Sequence, residues 1–133
     1  MNLLTEVYQV NLRVSDMKRA VKWYQDVLGL KVQKDYGNTV VLGISESSGT
    51  PAAVCLIEHP EKGVQSFDDN VTHPVLAISP GQAEACREKL RQMGARIIEG
   101  GGKAHFKFAD PDGNLLEAYL PNLYKDEKYE HLR

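Results

Sequence analysis

Cysteine is scarce in this chain of 133 residues: there are two. Cys55 and Cys86 are too few and too far apart for a disulfide framework or a thiolate metal centre, so both read as small core side chains. No run of about eighteen apolar residues occurs, so nothing is expected to cross a membrane. The opening MNLLTEVYQVNLRVSD is too polar for a secretory leader, and the expected location is cytoplasmic. An excess of one charge is missing too. The formal net charge is -2 and Lys/Arg form no dense patch, which excludes nucleic acid as an expected partner.

What is present is an ordinary globular composition, 42% hydrophobic and 26% charged, in a length that suits one domain over residues 1–133. The chain also repeats itself. QVNLRVS at 9–15 overlays HPVLAIS at 73–79 with an offset of 79 − 15 = 64, matching Leu12 with Leu76, Val14 with Ile78 and Ser15 with Ser79. Both segments alternate as half-buried strands do. Each is followed by a helix signal. SDMKRAVKWYQDVLG offers Ser15 or Asp16 as N-cap, apolar Met17, Val21, Tyr24 and Leu28 at helical spacing, and Gly29 as the stop. SPGQAEACREKLRQMG offers Ser79 as N-cap, Pro80 at the first helical position, Gln82 to complete a capping box, and Gly94 as the stop. Trp23 and Tyr24 read as core packing.

Three strand candidates follow each helix: LKVQKDY, TVVLGI and AAVCLIE in the first copy, ARIIE, AHFKF and LLEAYL in the second. SESSGTP and ADPDGN supply turns. The expected fold class is α+β, two βαβββ modules forming curved mixed sheets around a cavity with helices outside. Module 1 covers about 4–60 and module 2 about 72–121, joined by the polar 59–71 segment and followed by a charged, loosely held tail at 122–133. A helix covers one sheet face and leaves the other free. On the free face the first strand places Gln9, Asn11 and Arg13, and the last strand places Glu117 and Tyr119. A carboxylate within the apolar run LLEAY needs a partner, and a ligand-binding or metal-binding cavity supplies one.

QVNLRVSDMKRAVKWYQDVLGLKV, THPVLAIS and FADPDGNLLEAY resemble the vicinal oxygen chelate superfamily, which includes glyoxalase I, fosfomycin and bleomycin resistance proteins and extradiol dioxygenases. The likeness extends to about Pro121. It implies metal ligands from the first and last strand of each module, here Gln9, His73 and Glu117. Glu58 is the candidate fourth ligand, close to the end of AVCLIEH. Matching the strand ends by Pro60 and Pro121 puts Glu58 opposite Tyr119, on the same face as Glu117 but one strand repeat along. Matching by distance from the first strand favours it more. The resemblance further implies a divalent ion (Zn, Ni, Mn or Fe) with open positions for substrate, Arg13 at a carboxylate-binding position, and proton transfer by Glu117 or Glu58. Asn11, Tyr119 and His105 are expected to line the substrate cavity.

The leading expectation is a metal-dependent lyase or isomerase of the glyoxalase type, acting on a small oxygen-bearing substrate, free or thiol-conjugated, in a homodimer. The alternatives are a thiol transferase acting on fosfomycin and a metal-free, bleomycin-resistance-like binding protein. Glu117 paired with Arg13 or Lys107 is the competing structural expectation. His59 and His131 read as solvent-facing, and Gly100 to Gly102 as a flexible cavity lip rather than a phosphate cradle.

Overall fold

Alternation in the strands and glycine stops after the helices build the same unit twice. The computed structural model describes residues 3, 4, 7–45, 52–60 and 73–133. Residues 46–51 of the expected turn and 61–71 of the expected connector lie outside the described residues. The chain divides into two compact units, Met1–Gly63 and Val64–Arg133.

The first unit runs β1 (Val10–Val14), α1 (Met17–Leu28), β2 (Lys31–Asp35), β3 (Thr39–Gly43) and β4 (Ala52–Glu58). Its sheet has the order β1-β4-β3-β2, with β1 and β4 parallel and the other pairs antiparallel. Asp16 is the N-cap, its carboxylate accepting from the Arg19 amide at 3.1 Å. Gly29 closes the helix at φ 69°, a left-handed conformation that a glycine adopts at least cost. The buried stripe of α1 is Met17, Ala20, Tyr24 and Val27. Val21 and Leu28, expected on that stripe, are half-buried, because α1 centres its contact with the sheet on the small Ala20. Leu12, Val14, Val40, Leu42, Val54 and Leu56 complete this core. Trp23 meets Tyr24 edge to face at 4.9 Å.

The second unit runs β5 (Val75–Ala77), a 3-10 turn at Pro80–Gln82, α2 (Cys86–Gln92), β6 (Arg96–Ile97), β7 (His105–Ala109), β8 (Leu115–Tyr119) and a closing 3-10 segment at Glu127–Leu132. Its sheet order is β5-β8-β7-β6, again with the outer pair β5 and β8 parallel. The α+β class and the doubled sheet follow the sequence reading. The second helix does not. Ser79 makes no side-chain cap, and the Gln82 carboxamide accepts from Lys89 instead of closing a capping box. With glycine at position 81 the first turn tightens to 3-10 and α2 starts late.

Residues 122–133 are not loosely held. Leu123 is fully buried and Leu132 nearly so, and the Arg133 Nε donates to the Leu123 carbonyl at 2.8 Å. Asn122 turns the chain at φ 69°, which lets this segment fold back on its own unit.

Candidate functional site

The β7–β8 hairpin positions the site. In the ADPDGN turn, the buried Asp110 carboxylate accepts from the amides of Asp112 and Asn114 at 2.9 and 2.8 Å, and from the Asn114 side chain at 2.9 Å. That fixes the antiparallel register His105↔Tyr119, Lys107↔Glu117 and Ala109↔Leu115. Phe106, Phe108, Leu116 and Ala118 point to the core, each ring contributing about 2–3 kcal/mol by leaving water. By alternation His105, Lys107, Glu117 and Tyr119 share the opposite face.

On that face Glu117 receives two imidazoles. His73 Nε2 lies 2.8 Å from its Oε1, and His105 Nε2 lies 2.6 Å from its Oε2. The His105 Nδ1 lies 2.6 Å from the Tyr124 hydroxyl. The hydrogen bond from His73 holds the Glu117 carboxyl below the usual carboxylate range; partial burial opposes this and His105 reinforces it. Lys107 stands opposite Glu117 in the ladder, yet the carboxylate bonds to the imidazoles. Tyr119 and Tyr124 flank His105, with ring centroids 5.1 and 5.7 Å from it. A cavity of about 220 Å³ lined by Glu99, Gly100, Gly101, His105, Phe106 and Lys107 adjoins this cluster.

The first unit carries a different set. Val10, Leu12 and Val14 of β1 pair with Val54, Leu56 and Glu58 of β4. Glu58 therefore shares the face of the buried Val14, and its Oε2 accepts from the Met17 amide at 2.7 Å, at the start of α1. The expected placement of Glu58 on the free face is corrected by this parallel register. Since Asn11 pairs with Cys55 and the repeat-related Val75 pairs with Glu117, it is Cys55 that occupies the position equivalent to Glu117. Gln9 and Asn11 do lie on the free face, where Gln9 Nε2 donates to Asn11 Oδ1 at 2.9 Å. Burial pushes the Cys55 thiol pKa up, against a hydrogen bond with Gln9. Gln9, Gln33, Tyr36, Thr39, Val41 and Cys55 help to line a cavity of about 330 Å³. Arg13 is exposed in β1 beside Ile57 of β4.

His73 and Glu117 are thus adjacent, and His105 and Tyr119 sit beside them. Glu58 caps a helix, and Gln9, Asn11 and Arg13 belong to the first unit. Tyr124 was not anticipated; the available signal, an aromatic residue in a charged tail, is shared with Tyr129 and does not single it out. His59 is exposed, and His131 pairs with Glu84 at 2.9 Å on the surface. The Gly100 to Gly102 lip holds a defined conformation, its Gly100 and Gly102 carbonyls accepting from Arg87.

As a metal site, His73 and Glu117 fit by chemistry and spacing. An imidazole nitrogen and a carboxylate oxygen 2.8 Å apart can both reach one ion through bonds of about 2.0–2.2 Å. Among the described residues the buried His73 Nδ1 finds no hydrogen-bond partner, while Nε2 of that ring meets Glu117. Among the described residues no three His, Cys, Asp or Glu side chains form a ready-made cluster.

The fold agrees with known proteins. A lactoylglutathione lyase from Salmonella typhimurium is 30% identical over 117 residues, covering 80% of this chain and 85% of that protein. Glutathione transferase FosA from Serratia marcescens is 25% identical, covering 91% of this chain and 84% of its own. The solved structure of a trypanothione-dependent glyoxalase I from Leishmania major superposes with a TM-score of 0.73 at 20% identity, over 96% of this chain and 94% of that one. Residues 7–118 match the profile of the Glyoxalase/Bleomycin resistance protein/Dioxygenase superfamily, and the chain belongs to that superfamily, the vicinal oxygen chelate group.

Proposed function

We propose that this glyoxalase-like protein is a divalent-metal-dependent lyase or isomerase acting on a small, thiol-conjugated oxygen substrate. The supporting observation is Glu117, a carboxylate kept ionised on the free sheet face by His73 and His105. His73 Nε2 and Glu117 Oε1 would hold the ion, which belongs to the group Zn, Ni, Mn or Fe. When bound, such an ion polarises neighbouring substrate oxygens and lowers the cost of negative charge developing on them.

The chain's own residues do the rest. Glu58 is committed to the α1 amide, so proton handling falls to Glu117 Oε2 and its partner His105, not to Glu58. Tyr119, with its ring edge-on to His105, is a proposed substrate contact. A depressed carboxyl pKa keeps Glu117 ionised, as a ligand role for Oε1 and an acceptor role for Oε2 both require.

A second reading is supported by the FosA relative: thiol transfer to fosfomycin through the same His73 and Glu117 pair. A metal-free, bleomycin-resistance-like binding role is the third. Elemental analysis followed by turnover of methylglyoxal with glutathione or bacillithiol, and of fosfomycin with the same thiols, separates them. Metal-dependent loss of hemithioacetal supports the first reading. Fosfomycin adducts without it favour the second, and no uptake of any divalent ion sinks both. No helix among the described residues is long and apolar enough to cross a membrane. A homodimer, checked by light scattering, and a cytoplasmic location are part of the proposal.

A further inference from the structure

We infer that Tyr124 and His105 form a positioning pair that fixes which oxygen Glu117 presents: Oε2 is held by His105 and Oε1 is left facing His73. The inference rests on the proposed ion-binding reading for what Oε1 then meets. The hydrogen bonds assign themselves in order. An ionised carboxylate only accepts, so His105 Nε2, 2.6 Å from Oε2, carries the proton. In the neutral ring Nδ1 is then an acceptor, and the Tyr124 hydroxyl at 2.6 Å donates to it. Tyr124 thereby reinforces the tautomer that Glu117 requires, and its loss leaves Nδ1 free to carry the proton in part of the population.

The supports of this arm are rigid. Tyr124 follows the fully buried Leu123, whose carbonyl is bound by Arg133. On the other side a Cβ at Gly101 would stand 2.5 Å from the His105 carbonyl oxygen, so only glycine lets the lip lie this close to the His105 backbone. The geometry leaves Glu117 one free orientation and, under the proposed function, makes it a one-oxygen ligand. Tyr124 is 57% exposed and its ring stacks on Tyr119, so Tyr124→Phe removes the hydroxyl and keeps the packing.

Two measurements test the pair. In metal-free protein, long-range imidazole ¹H–¹⁵N spectra are expected to show His105 as the Nε2–H tautomer, and Tyr124→Phe is expected to add the Nδ1–H form. Titration with Co²⁺, followed by its visible absorption, is expected to show about 10-fold or more weaker binding in Tyr124→Phe with an altered band shape. Tyr129→Phe, in the closing 3-10 segment, serves as the control and leaves both readouts at their wild-type values. An unchanged His105 tautomer, or Co²⁺ affinity within about 2-fold of wild type, overturns the inference. Wild-type protein that takes up no Co²⁺ instead removes the ion-binding reading, and the tautomer measurement then decides the positioning pair alone.

Discussion

Where β1 and β4 bring Asn11 beside Cys55, the repeat-related strands β5 and β8 bring Val75 beside Glu117. The two sheets have the same strand order and the same parallel outer pair, yet one offers a buried thiol at this position and the other a carboxylate bonded to two imidazoles. Glu58, the carboxylate of the first unit's last strand, faces the helix and caps it. A repeated backbone therefore does not imply repeated chemistry. The hydrophobic alternation that rebuilds a sheet constrains only the core-facing side chains, while the free face is open to divergence.

Replacing Glu117 gives the largest effect. Glu117→Gln keeps the shape and removes the charge, and turnover of the substrate found by the assays above is expected to fall about 10²–10⁴-fold, the range for losing a proton-transfer group. Steady-state kinetics at saturating metal check this; a loss under about 10-fold would remove Glu117 from the proton-transfer role and with it the chemical contrast drawn between the units. Next comes a glycine pair, one in each unit. Gly101→Ala places a Cβ against the His105 carbonyl at a φ of +73°, and a loss above about 2 kcal/mol is expected. Gly29→Ala, at φ +69° with no atom within 4 Å, meets only the left-handed strain of about 1–2 kcal/mol. Urea denaturation of both variants measures the gap, which closes if the lip can shift.

Smaller still is Glu58→Ala. Losing the acceptor for the Met17 amide is expected to cost about 1 kcal/mol of stability, with turnover unchanged. A catalytic loss comparable with that of Glu117→Gln would contradict the register-based assignment. The smallest effect is pH-dependent. The folded pKa of Glu117 is depressed, so its contribution to metal-free stability is fully present above the unfolded value of about 4.3 and disappears as pH falls through the lower folded value. Acid titrations of wild type and Glu117→Gln should diverge above that window and converge below it, and parallel curves would refute the linkage.

Several features were legible in the residues. Gly29 and Gly94 both adopt positive φ next to their helices, at 69° and 97°, because only glycine takes that conformation cheaply. The alternation of AHFKF and LLEAY placed Glu117 away from the core because a strand has a period of two. Glu58 was misplaced because alternation says which residues share a face along one strand, not which face of a distant partner they join. That depends on the parallel pairing of Val14 with Glu58, across 44 positions (58 − 14) of intervening chain. Tyr124 was missed because its role depends on burial of Leu123 and Leu132, which draws a charged segment back over its own unit.

By itself, then, the amino-acid order determined the doubled α+β unit, the alternation of its strands and the family, since these follow from local periodicity, turn chemistry and sequence motifs. Tertiary structure alone decided that Glu117 meets His73 and His105, that Tyr124 reaches His105, and that Glu58 serves a helix. Those contacts join atoms far apart in the chain, and their existence depends on strand register and docking to within a few ångströms, which no local pattern encodes.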